Sequence, residues 1–229
     1  MLKQNEDDVP DKPVIAVLGG TGKEGKGLVY RWAKAGYPVV IGSRVVERAR
    51  AAAEDVQSML GASGTVRGMG NLAAAEAGQM VVLTVPYAAH RDTLETVKPA
   101  LAGKVLVDVT VPLLPPKVTT VHMPPAGSAA QEAVEVLGKG VEVVAAFQNI
   151  SHEHLLHEGD VVCDVLVTGT SKEARQRTLE LVAAAGLTGW DAGVIENSMV
   201  VEGLTSLLIH INKQYGSTHA GIKITGIER

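Results

Sequence analysis

Aromatic residues make up only 3% of this 229-residue chain, so it has few rings on which to stack nucleic-acid bases. Its formal net charge of −4 adds to the case against a nucleic-acid partner. Cys163 is the single cysteine, which excludes a disulfide framework and a cysteine-cluster metal site. It sits in the apolar run 161–167 and reads as a small core residue. No apolar run approaches the roughly 18 residues of a membrane span. Residues 1–12 are polar and acidic, lack the apolar core of a signal peptide, and read as a disordered leader. These features predict a soluble, cytoplasmic protein with no membrane or nucleic-acid partner.

What is present is a strand running into a glycine loop. Val14 to Leu18 is an unbroken apolar run. It leads into G-x-G-x-x-G at Gly20, Gly22 and Gly25, and an amphipathic segment follows from Gly27 to Ala35. Gly20 allows a tight turn off the strand. Gly22 removes a Cβ from the path of a pyrophosphate, and Gly25 allows the helix to pack close to the sheet. The free N–H groups of the helix's first turn then face the anion. A P-loop is the rival reading, because Gly25-Lys26 follows Gly20 at its spacing. The next residue is Gly27, however, with no hydroxyl for magnesium, which excludes it.

A second absence selects the dinucleotide. The strand 38–42 ends in Gly42-Ser43-Arg44, where an NAD site usually carries an acid. Ser43, Arg44 and Arg48 would instead hold a 2′-phosphate through a hydroxyl and forked guanidinium groups. The plainer reading makes Arg44 and Arg48 an ordinary solvated helix start.

Apolar runs and amphipathic segments alternate through strand 104–108. They predict an α/β fold, a doubly wound parallel sheet with helices on both faces. Five prolines mark an irregular stretch over 111–127, before helix 128–137 and strand 141–147. Beyond it are expected a His- and acid-rich loop at 149–160, strand 161–168, helix 171–185, a short strand at 188–191 and a long helix at 195–215. The division is a dinucleotide-binding domain at 13–148 and a smaller, mostly helical C-terminal part at 149–229. In the long helix, Val200, Val201, Leu204, Leu207, Leu208 and Ile211 predict a broad buried stripe, in the core or at a homodimer interface. Ligands in such sheets bind beyond the strands' carboxyl ends. The loops at 18–22, 42–44, 84–87 and 109–112, with Gln148-Asn149, should therefore form one crevice.

The chain resembles the NADPH-dependent reductases of coenzyme F420, also called F420H2:NADP+ oxidoreductases. The resemblance rests on Leu18-Gly-Gly-Thr-Gly22, Ile41-Gly-Ser-Arg44, Thr84-Val-Pro86 and Gly127-Ser-Ala-Ala130. It continues through Ala145-Ala-Phe-Gln-Asn-Ile-Ser151, Cys163-Asp-Val-Leu-Val167, Glu202-Gly-Leu-Thr205 and Ala220-Gly-Ile-Lys-Ile-Thr-Gly226. It implies hydride exchange between NADP(H) and the deazaflavin F420, and a homodimer. By position, it places Gly20, Thr21, Gly22, Lys23 and Glu24 along the pyrophosphate. Ser43, Arg44 and Arg48 fall at the 2′-phosphate, and Thr84, Val85 and Pro86 at the nicotinamide half. Gln148, Asn149, Ile150 and Leu207 fall beside the deazaflavin. Archaeal members have His-Thr-Ile-Pro where this chain has Gln148-Asn149-Ile150-Ser151, so Gln148 would act there by hydrogen bonding alone.

No Ser-His-Asp arrangement or metal motif is visible, and no residue is assigned as a catalytic acid or base. Hydride transfer between two coenzymes needs none. His152, His154 and His157 lack zinc-site spacing and read as a solvated loop and helix start. His90 reads as a helix-surface residue, with the crevice as the alternative. Lys213 and Lys223 read as surface lysines. Two other functions stay open: an NADP-dependent reductase of an imine, keto or flavin substrate, and a non-catalytic NADP sensor.

Overall fold

This computed structural model describes residues 12–156, 159 and 161–227. The proposed leader, apart from Lys12, lies outside the described residues, as does His157. The strands are β1 (Ile15–Leu18), β2 (Pro38–Ser43), β3 (Thr65–Gly70), β4 (Met80–Leu83), β5 (Val105–Asp108), β6 (Glu142–Ala145), β7 (Asp164–Gly169) and β8 (Thr188–Val194). The helices are α1 (Lys23–Lys34), α2 (Val46–Leu60), α3 (Asn71–Ala77), α4 (His90–Val97), α5 (Ala129–Leu137), α6 (His152–Leu156), α7 (Lys172–Ala184) and α8 (Ser198–Tyr215).

All eight strands form one sheet in the order β3-β2-β1-β4-β5-β6-β7-β8. Pairing is parallel from β3 to β6, antiparallel between β6 and β7, and parallel again between β7 and β8. The sheet therefore runs across position 148, and the C-terminal part contributes two strands to it beside its helices. β1, β4 and β5 are buried at every residue, as continuous apolar strands covered on both faces require. One core packs Val17, Ile41 and Val82 against Leu28 and Trp32 of α1. The opposite core packs Leu18, Leu83 and Leu106 against Leu94, Ala130 and Ala133.

Local chemistry sets the ends of the elements. Ser128 and Ser171 cap α5 and α7 by accepting from the backbone N–H groups of Gln131 and Ala174. α4 lies between two 3-10 turns, at Tyr87–Ala89 and Lys98–Ala100, and Pro99 in the second stops the α-helix. The expected loop at 149–160 contains α6. Arg31 of α1 donates to the carbonyls of His154 and Leu155 (2.8 Å each), and so fastens α6 to α1. Gly27 belongs to the same junction, since a Cβ there would overlap the Leu155 side chain.

Within the single chain the last helix buries only part of the expected stripe. Val200, Leu207 and Ile211 are 66%, 48% and 41% exposed, whereas Ser198, Val201, Glu202 and Ser206 face inward. Inward polar groups are tolerated because each has a partner. Glu202 accepts from the N–H groups of Ala129 (2.7 Å) and Ala130 (3.1 Å) at the start of α5. The Ser198 hydroxyl donates to the Ile195 carbonyl (2.6 Å), and that of Ser206 to the Thr120 carbonyl (3.4 Å).

Burial, with the charge of Asp108 nearby, pushes the Glu202 carboxyl up to about 8, against the two N–H donors. The folded state then holds a proton that the unfolded chain releases near its ordinary value. The resulting stabilisation is complete below that value and is lost as pH rises toward 8. Glu202→Gln should remove this dependence. Between pH 5.5 and 8.5 the wild-type melting temperature should fall relative to the variant by at least about 2–4 °C, or about 1 kcal/mol. A constant difference across that range contradicts the assignment.

Candidate functional site

The carboxyl ends of β1, β2, β4, β5 and β6 open on one cleft of about 970 Å³. Its floor is the β1–α1 turn. Gly19 holds a left-handed φ of +78°, and a Cβ there would lie 2.8 Å from Val85 Cγ1 and 2.9 Å from the Thr84 carbonyl oxygen. A Cβ on Gly25 would lie 2.7 Å from both the Gly20 Cα and the Thr84 Oγ1. These glycines let α1 dock beneath the ends of β1 and β4. Gly22 differs: a Cβ there would meet only the Gly19 carbonyl oxygen, at 3.6 Å. The space above it is open to the cleft. The N-terminus of α1 has no side-chain cap, so its first-turn donors remain available to an anion.

At one end of the cleft stand Ser43, Arg44 and Arg48. Ser43 Oγ accepts from the Val45 N–H (3.2 Å), which leaves its own hydrogen to donate outward. No acid follows β2. At the other end Thr84, Val85 and Pro86 face Thr110, Gln148 and Thr205. Thr84 Oγ1 donates to the Leu18 carbonyl (3.0 Å), tying the β4 loop to β1. Glu24 is half-buried at the head of α1, and burial pushes its carboxyl up to about 8. In neutral form it places no full negative charge beside an incoming phosphate.

A smaller cleft of about 320 Å³ adjoins the first and is bounded by Asn149, Ser151, His152, Leu208, Asn212 and Thr218. Lys23, Glu24, Gln148, Ile150 and Thr205 line both clefts. The shared wall is held from several sides. Phe147 adopts φ +73°, a strained value for a bulky side chain, and turns the chain off β6 into Gln148. Gln148 Nε2 donates to the Asp108 carbonyl (2.8 Å), and Thr205 Oγ1 donates to the Gln148 carbonyl (2.8 Å). Asn149 Nδ2 donates to the Val201 carbonyl (2.9 Å) and Thr205 Oγ1 (3.2 Å). Gln148 Oε1 and Asn149 Oδ1 are buried acceptors with no partner among the described residues.

The geometry therefore brings together Thr21, Gly22, Lys23, Glu24, Ser43, Arg44, Arg48, Thr84, Val85, Pro86, Gln148 and Ile150 in the larger cleft. Gly20 forms the turn beneath it, and Asn149 lines the smaller cleft. Leu207 lines neither cleft and points outward, while its neighbour Leu208 borders the smaller one. Lys213 and Lys223 are exposed and also line neither cleft. His154 and His219 pack edge to face at 5.3 Å. Among the described residues no group of three or more His, Cys, Asp or Glu could hold a metal ion.

Sequence reasoning missed three features. His90 is neither on the helix surface nor in the crevice. It is fully buried behind the crevice, 2.6 Å from Asp108 of β5. Burial opposes its charged form, but the Asp108 charge and hydrogen bond outweigh that and raise its pKa. Asn71, at the carboxyl end of β3, lines the larger cleft with a buried, unpartnered Oδ1 among the described residues. Thr205 reaches the shared wall from α8. The visible signal was an acid closing an apolar strand, in Val105-Leu-Val-Asp108.

A cleft at the switch point of a parallel sheet, floored by a glycine turn and an uncapped helix start, defines a dinucleotide-binding protein of the Rossmann class. The residues present fit NADP: Gly22 leaves room for the pyrophosphate, and Ser43 with two arginines replaces the acid of an NAD site. The family described as NADP oxidoreductase coenzyme F420-dependent matches residues 14–112. An F420-dependent NADP reductase of Methanocaldococcus jannaschii is 39% identical over 222 residues, spanning 93% of this chain and 99% of that protein. One from Methanothermobacter marburgensis is 41% identical over 220 residues, spanning 93% and 98%. The chain belongs to the F420-dependent NADP reductase family. A crystal structure described as a putative F420-dependent NADP reductase from Arthrobacter sp. FB24 shares the fold. Its TM-score is 0.77 at 24% identity, over 93% of this chain and 99% of that one.

The two glycines separate folding from binding. Gly22→Ala should leave the melting temperature within about 2 °C of wild type, yet weaken NADPH at least about tenfold, the equivalent of about 1.4 kcal/mol. Gly25→Ala should cost stability itself, by about 1–3 kcal/mol, because backbone stands in the way. Thermal melts with NADPH titration read both. Unchanged NADPH affinity in Gly22→Ala contradicts the pyrophosphate placement.

Proposed function

We propose that this enzyme transfers a hydride between NADP(H), held in the larger cleft, and the deazaflavin coenzyme F420, held in the smaller one. The observation that carries this reading is the shared wall: the two clefts meet at Lys23, Glu24, Gln148, Ile150 and Thr205. When bound, the coenzymes supply the redox chemistry between them. The chain's residues bind, orient and exclude water. The glycine turn, from Gly20 through Glu24, and the start of α1 receive the pyrophosphate. Ser43, Arg44 and Arg48 take the 2′-phosphate by charge-assisted hydrogen bonds. Thr84, Val85 and Pro86 flank the nicotinamide half. Gln148, Asn149 and Ile150 face the deazaflavin. No side chain is required as an acid or base.

In this reading residues 13–148 are the NADP-binding domain, and 149–229 bind the deazaflavin and dimerise. The outward face of α8 supports a homodimer. Val200, Leu207 and Ile211 lie on that face with Tyr215, which is 79% exposed. Leu207 then belongs to the interface or to a site completed across it. No helix among the described residues is long and apolar enough to cross a membrane. The enzyme works in the cytoplasm.

Three experiments test this reading. Arg44→Ala should weaken NADPH roughly ten- to a hundredfold and NADH far less, as expected for a charge-assisted pair. Equal losses mean that Arg44 does not read the 2′-phosphate. Gln148→Ala should raise the KM for the deazaflavin with a modest change in kcat, and NADPH binding should stay nearly intact. Loss confined to NADPH would place Gln148 on the other coenzyme. Light scattering at micromolar concentration should give twice the protomer mass, and a monomer would count against the α8 interface.

A further inference from the structure

We propose that Asn71, at the carboxyl end of β3, binds the adenosine ribose of NADP(H) and adds affinity without reading the 2′-phosphate. This rests on the reading that the larger cleft holds NADP(H) with its 2′-phosphate at Ser43 and Arg44.

The Asn71 side chain is only 8% exposed, yet it lines the larger cleft. Its Oδ1 is enclosed and has no partner among the described residues. Its Nδ2 is not enclosed, and no described residue accepts from it. An amide at a strand-to-helix junction ordinarily spends its oxygen on a nearby backbone N–H. This junction is made without it: Gly70 is the N-cap of α3, and no side chain caps that helix. Packing gives no reason for the amide either. An enclosed acceptor without a partner lowers stability, and an apolar side chain of the same shape would avoid that cost.

The place of Asn71 in the sheet points to the ribose. β2 and β3 pair Ser43 with Gly70, which brings Asn71 level with Arg44. A Cβ on Gly42 would lie 3.0 Å from Asn71 Oδ1 and 2.7 Å from Leu18 Cδ2, so the amide packs directly on the end of β2. The Gly42 carbonyl in turn accepts from the Gly19 N–H (3.0 Å), where the glycine turn begins. Asn71 therefore stands where the ends of β1 and β2 meet. The glycine turn lies on one side and the Ser43-Arg44 corner on the other. In NADP(H) the group that joins the pyrophosphate to the 2′-phosphate is the adenosine ribose. With Oδ1 turned inward, Nδ2 is left to donate, and the ribose oxygens accept. An uncharged amide suits a position between two phosphates, because a carboxylate of the same shape would repel both.

The test uses the full-length enzyme with Asn71→Leu, which keeps the shape and removes both polar atoms, beside Asn71→Asp and Arg44→Ala. Fluorescence reads the Kd of NADPH and of NADH, and competition reads that of adenosine 2′,5′-bisphosphate. Asn71→Leu should weaken all three about three- to tenfold, by one common factor. Without ligand its melting temperature should equal or exceed that of wild type, because an enclosed acceptor has been removed. Asn71→Asp should weaken NADPH more than Asn71→Leu does. A loss for NADPH without one for NADH assigns Asn71 to the 2′-phosphate and overturns the proposal. So does a loss for both without one for the bisphosphate, which moves the contact to the nicotinamide half. A lower melting temperature with an equal rise in the deazaflavin KM indicates a packing role and overturns it as well. Arg44→Ala separates the proposal from the reading beneath it. If Arg44→Ala weakens NADPH selectively while Asn71→Leu changes nothing, only the role of Asn71 fails. If neither variant changes any of the three affinities, the placement of NADP(H) in the larger cleft fails too. Should Asn71→Leu fail to fold, Asn71→Ala takes its place, with the same common factor expected.

Discussion

The closeness of α1 to the ends of β1 and β4 constrains everything else at the site. Gly25 and Gly20 touch at a distance that no side chain would permit, with Thr84 wedged against them. This contact sets the first turn of α1 at the floor of the cleft with its backbone donors uncapped. It also ties the β4 loop to β1 through Thr84, so that the glycine-turn floor and the β4 wall of the larger cleft are joined directly. On its far side α1 carries Arg31, whose bonds to α6 carry the same rigidity across to the smaller cleft. The two clefts thus share a helix, and their separation is set by backbone packing.

A second unit closes the shared wall from the C-terminal side. α8 turns Ser198, Glu202 and Ser206 inward and Val200, Leu207 and Ile211 outward. Glu202 engages the N-terminus of α5, and Thr205, close by on the same helix, holds the backbone of Gln148. The polar inner face serves to place Thr205 and Asn149.

The sequence made some of this plain and concealed the rest, for physical reasons. The strands β1, β2, β4 and β5 were legible because burial on both faces demands unbroken apolar runs. The glycine loop and the Ser43-Arg44 end of β2 were legible because phosphate imposes specific residue types at a fixed spacing. The direction of α8 was not. Its periodicity left open whether the apolar stripe meets the core or a second copy, and only tertiary partners such as the α5 N-terminus make a buried glutamate tolerable. His90 was hidden for a related reason. Its partner Asp108 lies 18 residues away on strand β5, and a contact between a helix and a strand leaves no local periodicity. Asn71 escaped notice because the end of β3, the edge strand of the sheet, was left out of the crevice.

The central claim is direct hydride transfer across the wall that the two clefts share. The most direct measurement uses NADPH carrying deuterium at the reactive carbon of the nicotinamide, with oxidised F420 and the pure enzyme in ordinary water. Mass spectrometry of the reduced deazaflavin reads the outcome. Direct transfer predicts that the label appears in the reduced deazaflavin, one atom for each NADPH consumed. A reduced deazaflavin without the label, or NADPH that binds and is never oxidised by F420, would contradict the account.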